Sequence, residues 1–343
     1  MTVAARIRPA RADDLEPLYE MAKLAGNGFT NLPADRTALA AKLDRSAAAL
    51  AHEADEPGNF LYLLMLEDLE HHRIAGTAQI MARVGDAVPF YSYRRGTLTQ
   101  HSAELKRSFR AEMLTLTTDL EGSSEVGGLF LHPRFRAGGL GLLLARSRYL
   151  FIRQHRQRFA DRLLAELRGV IDEAGAAPFW DGLAGRFFGM GFQEADAFNA
   201  VNGHQFIADL MPKHPIYTAM LTDAARAVIG VPHPTGRPAM RMLEAEGFAH
   251  EGYLDIFDGG PTMSAATDRV RTIRQARTAR MRGSTLEGSE TALLSAGRLN
   301  GFRAVVGQIQ ADEAGILLDP ASAEALEIGV GDELLHVPAR LGA

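Results

Sequence analysis

The 343-residue chain contains no cysteine. That excludes disulfides, thiolate metal sites and a cysteine nucleophile. Long apolar runs are missing too: none approaches the roughly 18 residues of a membrane span. The opening "MTVAARIRPARADDLEPL" lacks the apolar centre of a signal peptide. A cytoplasmic protein without a membrane partner is therefore expected. Positive charge is not in excess either. A net charge of −5 gives no basic face for nucleic acid. No metal and no tightly bound cofactor is expected. What remains is an ordinary globular composition, 46% hydrophobic and 23% charged, enough for one large domain or two of common size.

Apolar periodicity divides the chain into mixed strands and helices. "RIRPARADDLEPLYEMAKLAG" reads as a strand, a turn and a helix capped by Asp13 or Asp14, with Leu15, Leu18, Met21, Ala22 and Ala25 as its apolar stripe. A second helix is expected over about 35–52, a strand over 59–68 and its hairpin partner over 72–85. Residues 86–118 carry no clear period and read as an insertion, or as a strand with a following loop. Then come a strand from Glu125 to Leu131 stopped by Pro133, a buried helix over about 140–158 and a strand over 161–170. A helix over 178–192 closed by Gly191 and a helix–Gly–Phe–strand unit over 237–257 follow. The expected organisation is an α/β (α+β) domain over 1–275, a Gly/Ser-rich linker or surface excursion over 276–300, and a small β-rich subdomain over 301–343.

The stretch "HPRFRAGGLGLLLARSRYLF" (132–151) sets Arg136-Ala137-Gly138-Gly139-Leu140-Gly141 between a strand and an apolar helix. The first N–H groups of a helix have no intrahelical acceptor, and its dipole favours an anion there. Glycines let that backbone approach a phosphate closely. By spacing alone a plain glycine turn is the commoner explanation, and the motif matches neither a dinucleotide fingerprint nor a Walker loop. Gly127-Gly128 inside the preceding strand mark a bulge or the close approach of another backbone.

A bulged strand, R-x-x-G-x-G and then a helix resemble the pyrophosphate-binding signature of the GNAT acyltransferase superfamily. There the strand splays from its neighbour and pantetheine enters like an extra strand. Longer blocks are more specific. "YSYRRGTLTQHSAEL", "DLEGSSEVGGLFLHPRFRAGGLG", "LMPKHPIYTAML", "AVIGVPHPTGRPAMRMLEAEGF" and "YLDIFDGGPT" are among those by which residues 5 to 275 resemble the bacterial arginine N-succinyltransferase family. The resemblance implies a GNAT-like acyl-CoA N-acyltransferase fold with a small C-terminal β subdomain. It implies transfer of succinyl from succinyl-CoA, a co-substrate, to the α-amine of L-arginine, in a homo-oligomer or a pairing with a homologous subunit. Two other readings stay open: an N-acyltransferase for ornithine or another amine or acyl-CoA, and a non-catalytic CoA-binding subunit of a hetero-oligomer.

Such a transfer needs a neutral amine, a stabilised oxyanion and a proton for the departing thiolate. The resemblance implies that His233, stiffened between Pro232 and Pro234, is the proton donor. Glu125 is the carboxylate base, or else a solvated strand-start residue. Tyr217, beside His214, is the reserve donor; the superfamily's tyrosine position reads Arg186-Phe187-Phe188, which favours His233. Leu129 is the implied succinyl-CoA contact, and Arg134, Arg136, Gly138, Gly139 and Gly141 form the phosphate cradle. Arg95 and Arg168, with Arg94 and Lys213, are candidates for the substrate carboxylates; Asp255 and Asp258 are candidates for the guanidinium. The family carries larger side chains where this chain has Gly127 and Gly128, which predicts a wider acyl pocket.

Overall fold

The structure, a computed structural model, describes residues 3–26, 31–136, 138–202, 205–285, 287 and 290–339, with backbone alone at 199–202. Ala137, inside the glycine loop, lies outside the described residues. The chain opens with β1 (Ala5–Pro9), α1 (Leu15–Ala25), α2 (Arg36–Ala51), β2 (Leu61–Asp68) and β3 (Arg73–Met81). A long hairpin, β4 (Ser92–Ser102) and β5 (Arg107–Thr117), precedes β6 (Ser124–Leu131), α3 (Leu140–Gln154) and β7 (Arg162–Glu166). Short helices α4 (Pro178–Gly182), α5 (Gly185–Phe188), α6 (Phe192–Asn202) and α7 (Gln205–Leu210) follow. Next are β8 (Ile216–Tyr217), α8 (Asp223–Val228), α9 (Arg237–Glu246), β9 (Ala249–Asp255), β10 (Pro261–Ala266) and α10 (Arg271–Gln275).

These strands form one sheet in the order β1-β2-β3-β6-β7-β10-β9-β4-β5-β8, antiparallel except for β6 against β7. β2 pairs with β3 as a hairpin, as the alternation of 59–68 and 72–85 predicts. Helices cover both faces. Leu63 and Met65 pack with Leu18, Met21, Leu39 and Leu43 of α1 and α2. Leu64 and Leu66 pack with Leu144, Leu150 and Ile152 of α3. Burying each such side chain contributes about 1.5–3 kcal/mol, so α3 is fixed and its N-terminus with it. Residues 86–118 are neither insertion loop nor lone strand: β4 and β5 extend the sheet beyond β9.

Local departures from the expected pattern have visible causes. Asp14 precedes α1 but does not cap it; its carboxylate is buried under the Arg8 guanidinium at 2.7 and 2.9 Å. The helix expected over 178–192 is broken into α4 and α5, each ending at a glycine-punctuated turn, with Gly189 at φ +64 closing α5.

Residues 276–300, expected as a linker, contain two strands of the sheet. They hold β11 (Arg277–Ser284) and β12 (Glu290–Ala296), which join β13 (Arg303–Asp312), β14 (Gly315–Leu318), α11 (Pro320–Leu326) and β15 (Glu333–Pro338). The order β12-β15-β11-β14-β13, with β13 pairing back to β12, closes a five-stranded barrel around Leu294, Val305, Ile309, Ile316 and Leu318. Glycine and serine content misleads here because a closed ring satisfies its own strand edges. The barrel joins the main sheet at Ile7 opposite Ala304. Beneath the join, buried Arg146 of α3 donates to Pro338 O (2.9 Å), Ala339 O (2.7 Å) and Thr272 Oγ1 (2.8 Å), and lies 3.2 Å from Glu246.

Candidate active site

β6 and β7 pair only at Ser124–Leu163 and Glu125–Leu164, then part. The cause lies in β6. Its register against β3 slips between Thr77 and Gln79, and Gly128 there takes φ +55, a left-handed conformation that a β-carbon would strain. This bulge bends the strand away from β7. A cavity of about 1170 Å³ runs along the opened gap. Leu129, just after the bulge, is on its wall. The space above the two glycines is filled rather than widened: a β-carbon at Gly127 would sit 2.9 Å from Asn31 Nδ2, and one at Gly128 2.9 Å from Gln79 Cγ.

At one end the cavity meets the N-terminus of α3. Gly138 (φ +67) and Gly139 (φ +79) turn the chain into the helix, and nothing lies within 4 Å of where their side chains would be. The N–H groups at the head of α3 thus face open space, the arrangement that receives a phosphate. Gly138, Gly139, Gly141 and Arg136 line this end. Arg134 does not. It sits on the exposed 3-10 turn Pro133–Phe135, with its N–H donated to His132 Nδ1.

Around the gap stands a group of acids drawn from three strands and a turn. Glu125 is buried, and burial, reinforced by Asp255, raises its pKa to about 7 against the pull of Lys42. Glu166 at the end of β7 is pushed well above the usual carboxylate range by burial and by Asp255. Burial and Asp255 likewise raise Asp258 to about 8. Asp258 is also the knot of the β9–β10 turn, accepting from Gly169 N at 2.7 Å and Gly260 N at 2.8 Å. Asp255 accepts from Phe257 N (2.7 Å) and Asp258 N (2.9 Å) through one oxygen. All four acids line the cavity. Like charges held this close in a protected site favour a bound cation or retained protons.

His233 lines the cavity from the far side of Arg168. Its N–H donates to Arg168 O at 2.8 Å, and its Nδ1 lies 2.7 Å from Thr235 Oγ1 and accepts from Thr235 N at 3.3 Å. An Nδ1 engaged as acceptor leaves the proton of the neutral ring on Nε2. Burial, then the Arg168 charge, lowers its pKa, while a hydrogen bond to the Ile171 carbonyl acts the other way. The ring is neutral at rest. Arg168 is partly buried, its Nε has no acceptor, and burial lowers its pKa despite nearby Asp258.

Two further candidates stand away from the cavity. Tyr217 pairs through β8 with Met113, and Arg95 lies on exposed β4 bound to Glu112 at 2.8 Å. Neither lines the cavity, nor does Arg94, bound to Asp119, or Lys213, bound to Ala208 O. Phe188, near the position where a tyrosine donor was sought, stacks on Trp180 in a separate apolar core.

Sequence reasoning missed Lys42, Glu166 and Arg148, all on the cavity wall. Lys42 of α2 donates to Asn31 O (2.5 Å) and reaches Gln79 Oε1 (3.4 Å), and burial lowers its pKa to about 8. Arg146 and Arg148 carried a usable signal: two guanidinium groups inside an otherwise apolar helix. Lys42 and Glu166 had none, because an isolated charge at an element's edge reads as solvated.

A parallel pair opened at a bulge beside a glycine-capped helix leaves a cleft for an extended donor, and the chain is an acyltransferase. More narrowly, it belongs to the arginine N-succinyltransferase beta subunit family: the family model matches residues 5–272 and the model of its C-terminal domain matches 274–338. Arginine N-succinyltransferases of Salmonella schwarzengrund and Salmonella agona are each 41% identical to it over 330 residues, covering 96% of both chains. A solved structure of arginine/ornithine succinyltransferase subunit AI from Pseudomonas aeruginosa superposes with a TM-score of 0.90 at 32% identity, covering 99% of this chain and 100% of that one. No helix among the described residues is long and apolar enough to cross a membrane.

Proposed function

We propose that the chain transfers the succinyl group of succinyl-CoA to the α-amine of L-arginine, giving N2-succinylarginine and CoA. The observation that carries this is the strand gap: an extended thioester laid between β6 and β7 meets Glu125 of β6, Glu166 of β7 and the neutral His233 imidazole, all lining one cavity. The pyrophosphate rests on the N–H groups of Gly138 to Gly141 with Arg136 alongside, and pantetheine follows β6 past Leu129. The arginine side chain lies toward Glu166, Asp255 and Asp258, and Lys42 and Arg168 supply positive charge for the α-carboxylate.

Glu125, held at about 7, takes a proton from the α-ammonium at neutral pH. The neutral amine attacks the thioester carbon, and the new C–N bond carries a positive nitrogen. As the C–S bond breaks, His233, neutral at rest, gives its Nε2 proton to the thiolate, and the proton lost from the new amide nitrogen restores the Nε2–H. One proton leaves through Glu125, so the step balances without a covalent enzyme intermediate. Positioning of both substrates supplies much of the acceleration.

The reading includes a cytoplasmic enzyme working as a homo-oligomer or paired with a homologous subunit. Sedimentation of the purified chain tests the assembly. The activity is tested by thiol release with succinyl-CoA or acetyl-CoA, each against L-arginine or L-ornithine. Release with succinyl-CoA and L-arginine is expected. CoA binding without release for any pair means a non-catalytic subunit, and release only with ornithine moves the acceptor.

A further inference from the structure

Arg148 lies in the third turn of α3 and is 3% exposed, yet it forms no ion pair among the described residues. Its Nε donates to Ala145 O at 3.0 Å and one terminal nitrogen reaches Gly127 O at 3.5 Å. A guanidinium has five N–H donors, so three remain without acceptors in a side chain that lines the cavity. Burial lowers its pKa, with only Tyr149 and more distant Glu246 offsetting the cost. Arg146, two residues earlier, shows the contrast: it is buried to a similar extent but satisfied by Glu246, Thr272 and two carbonyls. A buried guanidinium left this incomplete is costly unless a ligand completes it.

Its place along the donor path indicates which ligand group that is. From Gly139 to Arg148 is nine residues of α3, about 13 Å at about 1.5 Å per residue. That is of the order of an extended pantetheine arm laid from the phosphate end. The contact with Gly127 O puts the guanidinium at the bulge, where the thioester ends and the acyl chain begins. The acids Glu166, Asp255 and Asp258 stand on β7, β9 and the β9–β10 turn, on the other side of the gap from β6, so an anionic acyl terminus is repelled there and attracted at Arg148.

Resting on the acyl-CoA donor reading above, we propose that Arg148 binds the free carboxylate of a dicarboxylic monothioester and makes the enzyme select succinyl-CoA over a neutral acyl-CoA of equal length. Arg148 is a specificity residue that touches the substrate; it takes no part in proton transfer.

The test is direct binding of succinyl-CoA and butyryl-CoA by calorimetry, without any amine, to the wild-type protein, R148Q and R148M, with CoA itself as the control. Wild type is expected to bind succinyl-CoA on the order of 100-fold more tightly than butyryl-CoA, the range of a desolvated charged pair. In R148Q and R148M the ratio falls to within a few-fold of one, while CoA affinity holds. Equal affinities in the wild-type protein overturn the proposal without recourse to a variant. So does an unchanged ratio in R148Q, and a ratio that collapses instead in K42Q moves the site to Lys42. No amine is present, so failure of arginine as the acceptor leaves this result readable. If neither thioester nor CoA binds, the donor reading itself fails.

Discussion

His233 and Glu125 reach the cavity from different elements, and their surroundings move their pKa values in opposite directions. Desolvation and Arg168 keep the imidazole neutral, with the Nε2 proton it offers to the leaving sulfur. Replacing His233 with alanine is expected to lower kcat by two orders of magnitude or more while the KM for succinyl-CoA changes little, read by steady-state thiol release. A near-wild-type kcat would remove the histidine from the proton path. Glu125 must be ionised to act, and its pKa is about 7, so kcat/KM is expected to rise with pH through about 7 and then level. Glu125→Gln should lower the rate and abolish that rising limb. A limb that survives the substitution belongs to another group.

At the scale of elements, the glycine loop and the bulge act together: one end of the donor is anchored at α3, the other threaded past β6. Gly139→Val forces a β-branched residue into φ +79 and is expected to raise the KM for succinyl-CoA by roughly tenfold or more with kcat retained, by initial-rate kinetics. Unchanged KM would detach the phosphate from this loop. The bulge and the loop were legible because glycine is placed by backbone need, and Gly127, Gly128, Gly138 and Gly139 announce it in sequence. The β2–β3 hairpin was legible through its alternation. Other parts were not. β4 is mostly exposed and β5 mixes exposed with half-buried positions, so no apolar period marks them, and they read as an insertion. The barrel strands β11 and β12 were hidden by the Gly/Ser-rich wording around them. Candidate Arg95 lies outside the cavity; a basic residue on an exposed strand is indistinguishable in sequence from one in a cleft, and its partner Glu112 lies 17 residues away. His233, Arg168, Asp255 and Asp258, named through local wording, line the cavity, and their convergence needed the turn that Asp258 ties.

Across the whole molecule two networks matter. Arg146 joins α3, α9, α10 and the last barrel strand at one buried point. Arg146→Met leaves Glu246 buried without its cation and is expected to cost about 3–5 kcal/mol, read as a lower midpoint in urea. A change under about 1 kcal/mol would show that the barrel docks by apolar packing alone. The acid cluster links stability to pH. Glu125, Glu166 and Asp258 have raised pKa values in the folded chain, so folding takes up protons. Their contribution is fully present below the unfolded carboxylate range near pH 4 and is lost as pH rises through about 7 to 8. A cationic ligand favours the ionised acids. L-arginine is therefore expected to raise Tm more at about pH 8 than at about pH 5, and a pH-independent shift would place it elsewhere.

The central claim is that this cavity joins a succinyl thioester to the α-amine of arginine. It is tested most directly by incubating the protein with succinyl-CoA and L-arginine and locating the new acyl group by NMR while counting released thiol. The account predicts one thiol per succinylated arginine, with the amide on the α-nitrogen and none on the guanidinium. Thiol released without acylated arginine, or acylation at the guanidinium, would contradict it.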